Sequence, residues 1–253
     1  MKQEMSPPFT IDFADPKHPV VVAAVHCSHR VSMDILPRMA LSDAERLREE
    51  DPYTDTWTRG FENRILAGRS RFEFDLNRPP EKAVYLCPED AWGLTVWRKP
   101  LEKKLLERSR ACHRLFYSRL HESLLCLEKA YGCFVVLDLH SYNHRRSGFG
   151  HAPADPAGHP EINVCTGTVD LDKWGFLKDG LLQDLREFDC NGRCLDVREN
   201  VKFKGGYLSF WIHRNFPRTG CCLGLEMKKV FMDEWTGEVF PEKHGILGAA
   251  VEK

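Results

Sequence analysis

Short apolar runs alternate along this chain with longer segments in which apolar residues recur at helical spacing. The alternation is typical of a sheet covered by helices, and it argues against a β-sandwich or a helical bundle. Several runs are apolar throughout, so we expect an α/β fold whose central mixed β-sheet is flanked by helices on both faces. The strand candidates are residues 20–25, 72–76, 83–86, 134–139, 162–165 and 222–227.

Capping signals and periodicity locate the helices. Ser42 followed by Glu45 has the spacing of a capping box and predicts a short charged helix. Leucine and phenylalanine recur at helical spacing over about 101–131, and Gly132 follows as a stop signal. Further helices are predicted at about 172–188 and after Pro241.

Bulk properties limit the possible functions. The 253 residues contain no repeat or interdomain linker, so we expect one domain over residues 1–253. The net charge of −1 gives no reason to expect a nucleic acid or an anionic membrane as partner. No segment has the pattern of a membrane span or a secretion signal. We therefore expect a cytoplasmic protein whose ten cysteines are reduced.

Two apolar strands are each followed closely by histidine. His26 comes after VVVAAV, and His140 comes after FVVLDL. Ligands gather at the carboxyl ends of strands in α/β sheets, so the two imidazoles can meet although they are distant in sequence. One such histidine is more often a core or capping residue, but two of them around a carboxylate-rich segment favour a metal site. A catalytic zinc ion needs three protein ligands and one open position.

A third ligand would come from the acidic residues between the two histidines. The segment DPYTD offers Asp51 and Asp55, and Glu62 is a weaker choice because a helix is expected there. The competing interpretation of DPYTD is a helix start with Asp55 as N-cap. The residues alone therefore leave the carboxylate open.

Arginine, aspartate and asparagine cluster in RSRFEFDLNRP. On a strand over 72–76, Asp75 and Asn77 would share one face. Asn77 and Arg78 suit a carboxylate, because a guanidinium donates two parallel hydrogen bonds in the geometry that a carboxylate accepts. A structural salt bridge within the motif is the competing interpretation.

Glu226 is the one acidic residue within the apolar run CCLGLEM. Charged groups are rarely buried without a partner, so this residue should be paired, ligating or catalytic. Burial would raise its pKa toward neutrality, which suits a general base. A salt bridge to lysine or arginine is the competing explanation.

In their order along the chain, these motifs resemble those of the N-formylglutamate amidohydrolase family, a relative of zinc carboxypeptidases and aspartoacylase-type deacylases. The motifs are VHCSH, DPYTD, SRFEFDLNRP, VVLDLHS, NVKFKGGYL and GLEMKKVFMDE. The resemblance implies a carboxypeptidase-like fold with one zinc ion per chain. Its ligands would be His26, His140 and Asp55, with His29 also possible because it stands where the relatives have the acid of HxxE.

The resemblance also implies roles at the substrate. Asn77 and Arg78 would hold a carboxylate, Arg71 would polarise the scissile carbonyl, and Glu226 would be the general base. Apart from the resemblance, the basic residues Arg145, Arg146 and Arg214 are expected near the rim and would suit a substrate with more than one negative charge. Solvated surface residues are the competing interpretation, above all for Arg146. Residues 148–160 should form a loop that borders the site.

The implied reaction is hydrolysis of an N-acyl amino acid such as N-formyl-L-glutamate by metal-activated water. The same residues would serve a metallocarboxypeptidase or a deacylase for a larger acyl group. A binding or regulatory protein that has lost catalysis is the candidate from a different functional class, because VHCSH departs from the Pro-His-Ser/Ala-Gly turn of many family members. Metal content would separate the two classes.

Overall fold

The computed structural model describes residues 7–13, 17–148 and 150–253. Strands of one sheet lie in the order β1-β3-β2-β4-β7-β5-β6. These strands are β1 (Phe9–Asp12), β2 (Val20–Ala24), β3 (Arg64–Ala67), β4 (Phe134–Tyr142), β5 (Ile162–Cys165), β6 (Val197–Glu199) and β7 (Gly220–Lys228). The helices are α1 (Asp43–Glu49), α2 (Lys103–Tyr131), α3 (Leu171–Arg186), α4 (Tyr207–Asn215) and α5 (Pro241–Glu252).

The sheet is mixed. Its central strands β3, β2, β4 and β7 are parallel, whereas β1 runs antiparallel to β3 and β5 runs antiparallel to β7. The carboxyl ends of the four central strands therefore meet at one edge, where α/β proteins place their ligands.

Helices cover both faces of the sheet. Along β2, Val21 and Ala23 lie in the core that holds the buried leucines of α2 and α4, while Val22 lies in the core that holds those of α3 and α5. Successive strand residues point to opposite faces, so the alternation separates two cores. The predicted fold class is confirmed.

The predicted strands at 72–76 and 83–86 are wrong, because neither segment forms a strand. Phe72, Phe74 and Leu76 place apolar residues at alternate positions, and this spacing imitates a strand, although Glu73 and Asp75 between them are buried too. The backbone N–H of Asn77 donates instead to the Asp75 carboxylate at 2.7 Å. Such a side-chain to backbone bond competes with a sheet ladder. Strands β1, β3 and β6, with four, four and three residues, were not predicted.

The helix predictions hold more widely. Ser42 and Glu45 form the predicted capping box at the start of α1, and α2 ends at Gly132, whose φ of 77° is left-handed. Helices at 171–186 and 241–252 match the predicted ones, whereas α4 was not predicted. All ten cysteines are free thiols. Within the described ranges, no helix is both long enough and apolar enough to cross a membrane.

Candidate active site

A cavity of about 570 Å³ opens at the carboxyl ends of the central strands. His26 lies just beyond the end of β2, His140 lies near the end of β4, and Glu226 lies on β7. His140 and Glu226 are direct neighbours across the parallel pair β4 and β7. The sheet therefore brings together three candidate residues from distant segments of the sequence.

Three side-chain atoms converge at the floor of this cavity. The Nδ1 atoms of His26 and His140 are 3.1 Å apart, and Oδ2 of Asp51 lies 2.9 Å from Nδ1 of His140 and 3.3 Å from that of His26. All three residues are buried. They form the one candidate metal-binding group found in the part of the chain that the structure describes.

Further carboxylates hold the outer nitrogen of each ring. Nε2 of His26 lies 2.7 Å from Oδ1 of Asp75, and Nε2 of His140 lies 3.0 Å from Oδ2 of Asp138. Asp138 and His140 share one face of β4 because side chains alternate along a strand. A carboxylate on the outer nitrogen favours the tautomer that leaves the inner nitrogen free to bind a metal ion.

The geometry fits zinc. Ligand atoms of a tetrahedral zinc ion lie about 3.3 Å from one another, as follows from bond lengths near 2.0–2.1 Å. The three measured separations lie close to that value. Two imidazoles and one carboxylate also form a known catalytic donor set, which leaves the fourth position open. His26, Asp51 and His140 would therefore hold the ion.

The charges at the floor favour a bound cation. Burial alone would lower the pKa of His140, but the neighbouring Asp138 and Asp51 outweigh it and hold this pKa well above its ordinary value. Burial alone would raise the pKa of Asp51, but hydrogen bonds with His140 and His26 lower it. The surroundings thus stabilise positive charge between these groups, which a metal ion or a proton can supply.

The structure places Asp51, rather than Asp55, beside the imidazoles. The backbone N–H of Asp51 donates to the carbonyl of His26 at 3.1 Å, and Tyr53 has a left-handed φ of 69°. This turn directs Asp55 into a short 3-10 helix outside the donor group. The expectation for Asp55 is therefore corrected to Asp51, the other acid of DPYTD.

His29 and Glu62, the two further candidate ligands, lie away from the imidazoles of the floor. The ring of His29 binds the carboxylate of Glu50 through Nδ1 and contacts Arg46 through Nε2. Glu62 pairs with Lys17 near the surface. Neither of these side chains belongs to the donor group.

Lys229 supports the position of the Asp51 segment, and it was not among the residues predicted for the site. Its side chain is buried, and Nζ donates to the carbonyls of Arg48 at 2.6 Å and Glu50 at 2.7 Å. The available signal was a lysine directly after the apolar strand that carries Glu226. A buried ammonium must find partners, and these lie in the segment that carries the metal-ligand candidate.

Arg71 lines the cavity but is strongly tied to Asp75. Its Nη2 donates to Oδ2 of Asp75 at 2.9 Å, and its guanidinium lies 4.8 Å from the ring of Trp92. The hydroxyl of Tyr85 donates to the same Asp75 oxygen. The structural salt bridge considered for this motif is therefore present, and it supports the carboxylate that holds His26.

Asn77 also lines the cavity, and it is held firmly in place. Its Nδ2 lies 3.1 Å from Nε2 of His140, and its Oδ1 accepts the backbone N–H of Leu208 at 2.8 Å. A Cβ on Gly206 would meet the Asn77 amide at 2.3 Å, so only glycine allows this close approach.

Arg78 lines the same cavity with more freedom than its neighbour. Its guanidinium lies 6.0 Å from the centre of the Tyr85 ring. The guanidinium has no hydrogen bond or ion pair with any residue that the structure describes. The five N–H donors of Arg78 are thus available to a ligand.

Arg145 does not line this cavity, contrary to expectation, whereas the next residue, Arg146, does. Arg145 borders a second cavity of about 500 Å³, where Nη1 donates to the carbonyl of His151. Arg146 lines the main cavity and pairs with Glu49 at 3.0 Å. The described residues of the loop predicted to border the site, 148 and 150–160, do not line the main cavity. Gly150 borders the second cavity instead.

Glu226 has the environment expected of a general base. Burial raises its pKa to about 7, and Asp51 and Asp138 add to this effect against His140 and Arg71. No lysine or arginine within the described ranges forms a salt bridge with this carboxylate. Glu226 lines the cavity beside the metal-ligand candidates, so it can reach a substrate there.

Comparison with known proteins agrees with the geometry. A crystal structure of N-formylglutamate amidohydrolase from Ralstonia eutropha JMP134 matches at TM-score 0.72 and 19% identity, over 97% of this chain and 96% of that one. A gene product of Agrobacterium tumefaciens matches at TM-score 0.67 and 18% identity, over 98% and 94% of the two chains. At these identities the likeness establishes the fold.

Sequence comparison supplies the family. Comparison with curated protein sequences gives no match. The sequence profile of the N-formylglutamate amidohydrolase family, however, matches residues 18–232, which is most of the chain. The chain therefore belongs to the N-formylglutamate amidohydrolase family and is a hydrolase of the amidohydrolase class.

Proposed function

We propose that this protein hydrolyses the amide bond of an N-acyl amino acid, with N-formyl-L-glutamate as the first substrate to test and zinc as the metal. The observation that carries the proposal is the convergence of His26, Asp51 and His140 beside the half-buried Glu226, which forms no salt bridge with a described lysine or arginine. The ligand is a small, carboxylate-bearing molecule. We expect the protein to act on it in the cytoplasm.

Glu226 handles the proton. A carboxyl group with a pKa of about 7 is partly ionised at neutral pH and can both accept and return a proton. In its ionised form it accepts a proton from the attacking water, and it then delivers that proton to the leaving amine. A bound zinc ion would supply Lewis-acid activation of the water and of the amide carbonyl.

The basic residues orient the substrate. Arg78 binds the substrate carboxylate, because its side chain lines the cavity and has no hydrogen bond with any described residue. Asn77 is held by the backbone N–H of Leu208, so it contributes mainly by fixing the position of its neighbour Arg78. Arg71 can face the scissile carbonyl through Nη1, which among the described residues donates only one long hydrogen bond, at 3.4 Å to the Glu49 carbonyl.

The first experiment measures zinc per purified chain together with formate release from N-formyl-L-glutamate, before and after chelation. We expect about one zinc ion per chain and activity that chelation removes and zinc restores. The Glu226→Gln variant should keep its zinc and lose about a hundredfold to ten thousandfold in turnover. Retained activity in this variant would contradict the assigned base. Protein that purifies without zinc and is indifferent to a chelator would favour a non-catalytic binding role.

A further inference from the structure

Aromatic side chains surround the mouth of the main cavity. We define the aromatic collar as Trp92, Phe203, Tyr207 and Phe210, all of which line this cavity. Trp92 is 47% exposed, Phe210 is 46% exposed and Phe203 is 37% exposed. Scattered exposed apolar residues are normal, but several aromatic rings around one polar cavity indicate a surface that a ligand covers.

The backbone at Trp92 is strained in a way that keeps its ring at the cavity. Its φ of 54° lies in the left-handed region, which a bulky side chain rarely adopts. The ring lies over the Arg71 guanidinium and makes an edge contact with Tyr85 at 6.0 Å between centroids. Strained backbone conformations cluster at ligand sites, where the surrounding structure holds them.

The remaining rings of the collar are supported by aromatic neighbours. Phe203 makes an edge contact with Tyr142 at 5.6 Å, and Tyr207 lies 6.2 Å from Phe210. Such contacts fix ring orientation while leaving one face available. The collar is thus a set of positioned apolar surfaces at the entrance to the proposed catalytic floor.

The cavity is large for the formyl substrate. Cavities of roughly 300–1,000 Å³ enclose drug-sized ligands, and this one measures about 570 Å³. N-formyl-L-glutamate has about a dozen non-hydrogen atoms, so it would leave much of the collar without contact. A larger apolar group beside the amide would cover these rings.

The same cavity also carries cations without hydrogen-bonding partners. Arg78 and Lys204 both line it, and neither side chain has a hydrogen bond or ion pair with a described residue. A ligand for this cavity therefore combines negative charge with apolar surface. We infer that the preferred substrate is an N-acyl amino acid that carries an aryl group next to the amide, on either the acyl or the amino acid part. This inference rests on the proposed amide hydrolysis.

The test compares kcat/KM of the zinc-loaded protein for N-formyl-L-glutamate, N-benzoyl-L-glutamate and N-formyl-L-phenylalanine. We expect at least one aryl amide to exceed N-formyl-L-glutamate by about tenfold, which is the effect of roughly one good aromatic contact. The better aryl substrate identifies the side of the amide that meets the collar. Preference for N-formyl-L-glutamate over both aryl amides would overturn the inference and leave the proposed function intact.

Failure of all three amides would instead contradict the proposed function, and binding then decides the inference. Calorimetric titration of the Glu226→Gln variant with N-benzoyl-L-glutamate and N-formyl-L-phenylalanine separates the two. Binding of either ligand at least about tenfold tighter than N-formyl-L-glutamate supports an aryl site, and equal or absent binding overturns it.

Matched variants test whether the collar itself is responsible. Phe210→Ala should lower kcat/KM for the better aryl amide about fivefold to tenfold, and clearly more than it lowers kcat/KM for N-formyl-L-glutamate. Phe176→Ala is the control, because Phe176 is 68% exposed on α3 and does not line the cavity. Equal losses for both substrates in Phe210→Ala would show that the ring does not select the aryl group.

Discussion

The floor of the cavity, with His26, Asp51 and His140, differs from the mouth, with Arg78 and Lys204. The difference lies in how many hydrogen bonds and ion pairs the protein itself supplies to the polar side chains. At the floor, His26 is held by Asp75, and His140 is flanked by Asp51 and Asp138. At the mouth, the side chains of Arg78 and Lys204 have no hydrogen bond or ion pair with any described residue. The protein itself thus fixes the groups that would perform chemistry, whereas it leaves the groups that would choose a substrate to be completed by that substrate.

Burial follows the same division. His26, Asp51 and His140 are at most 5% exposed, whereas Trp92 and Phe210 are nearly half exposed. Electrostatic interactions are stronger where water is excluded, so changes at the floor should have larger effects than changes at the mouth. Substitutions in each region test this difference.

The largest effect is expected from Asp51→Asn at the floor. Loss of a partner that only orients a ligand costs about tenfold to a hundredfold in metal affinity or activity, so loss of a ligand should cost more than about a hundredfold. Zinc per chain and formate release are measured together. Asp55→Asn is the matched control from the same motif, and it should keep both. If Asp55→Asn lost zinc and Asp51→Asn kept it, the assigned third ligand would be wrong.

Much of the floor could be predicted from the sequence. His26, His140 and Glu226 are polar residues that lie in or just after an apolar run of the sequence. Parallel strands bring such positions to one edge of the sheet, so these residues could be expected to meet there. The choice between Asp51 and Asp55 could not be made in this way. It depends on the left-handed turn at Tyr53, and aromatic residues give no sequence signal for that conformation.

The mouth was less predictable because its residues lie outside the predicted elements. Arg78, Trp92 and Phe203 lie in turns and loops, and Phe210 lies on α4, which was not predicted. Just before Arg78, the spacing of Phe72 and Phe74 imitates a strand, although the Asp75 side chain makes the chain turn. The distinction between Arg145 and Arg146 depends on the path of the loop after β4. Hydrophobic periodicity locates strands and helices, but it does not determine the direction of a side chain in an irregular loop.

An intermediate effect is expected from Arg78→Ala at the mouth. A charge-assisted hydrogen bond is worth about 1.5–3 kcal/mol, so KM for a carboxylate substrate should rise about tenfold to a hundredfold. Zinc content should not change, because Arg78 does not contact the donor group. Steady-state kinetics of Arg78→Ala and Arg78→Lys provide the measurement, with lysine expected to recover part of the loss. Loss of zinc in Arg78→Ala would show that mouth and floor are not separable.

The smallest effect is expected at His213, which connects the mouth to the sheet. Its Nε2 accepts the backbone N–H of Cys222 on β7 at 2.9 Å, so Nδ1 carries the proton and donates to Oγ1 of Thr168 at the cavity. Burial lowers the pKa of His213 to about 4. The folded protein thus resists its protonation, whereas the unfolded chain protonates near its ordinary pKa of about 6.5.

The sign of the pH dependence follows from that difference. The contribution of His213 to the free energy of unfolding is complete above about pH 6.5 and is lost as the pH falls toward about 4. After a discount for its partial exposure, we expect a loss of about 1–2 kcal/mol. Urea unfolding at pH 7 and pH 4.5 measures it, with His213→Gln as the reference because glutamine does not titrate. Between pH 7 and pH 4.5 the wild-type protein should lose more free energy of unfolding than this variant. Equal losses would mean that the folded protein does not hold His213 as a neutral imidazole between Thr168 and Cys222.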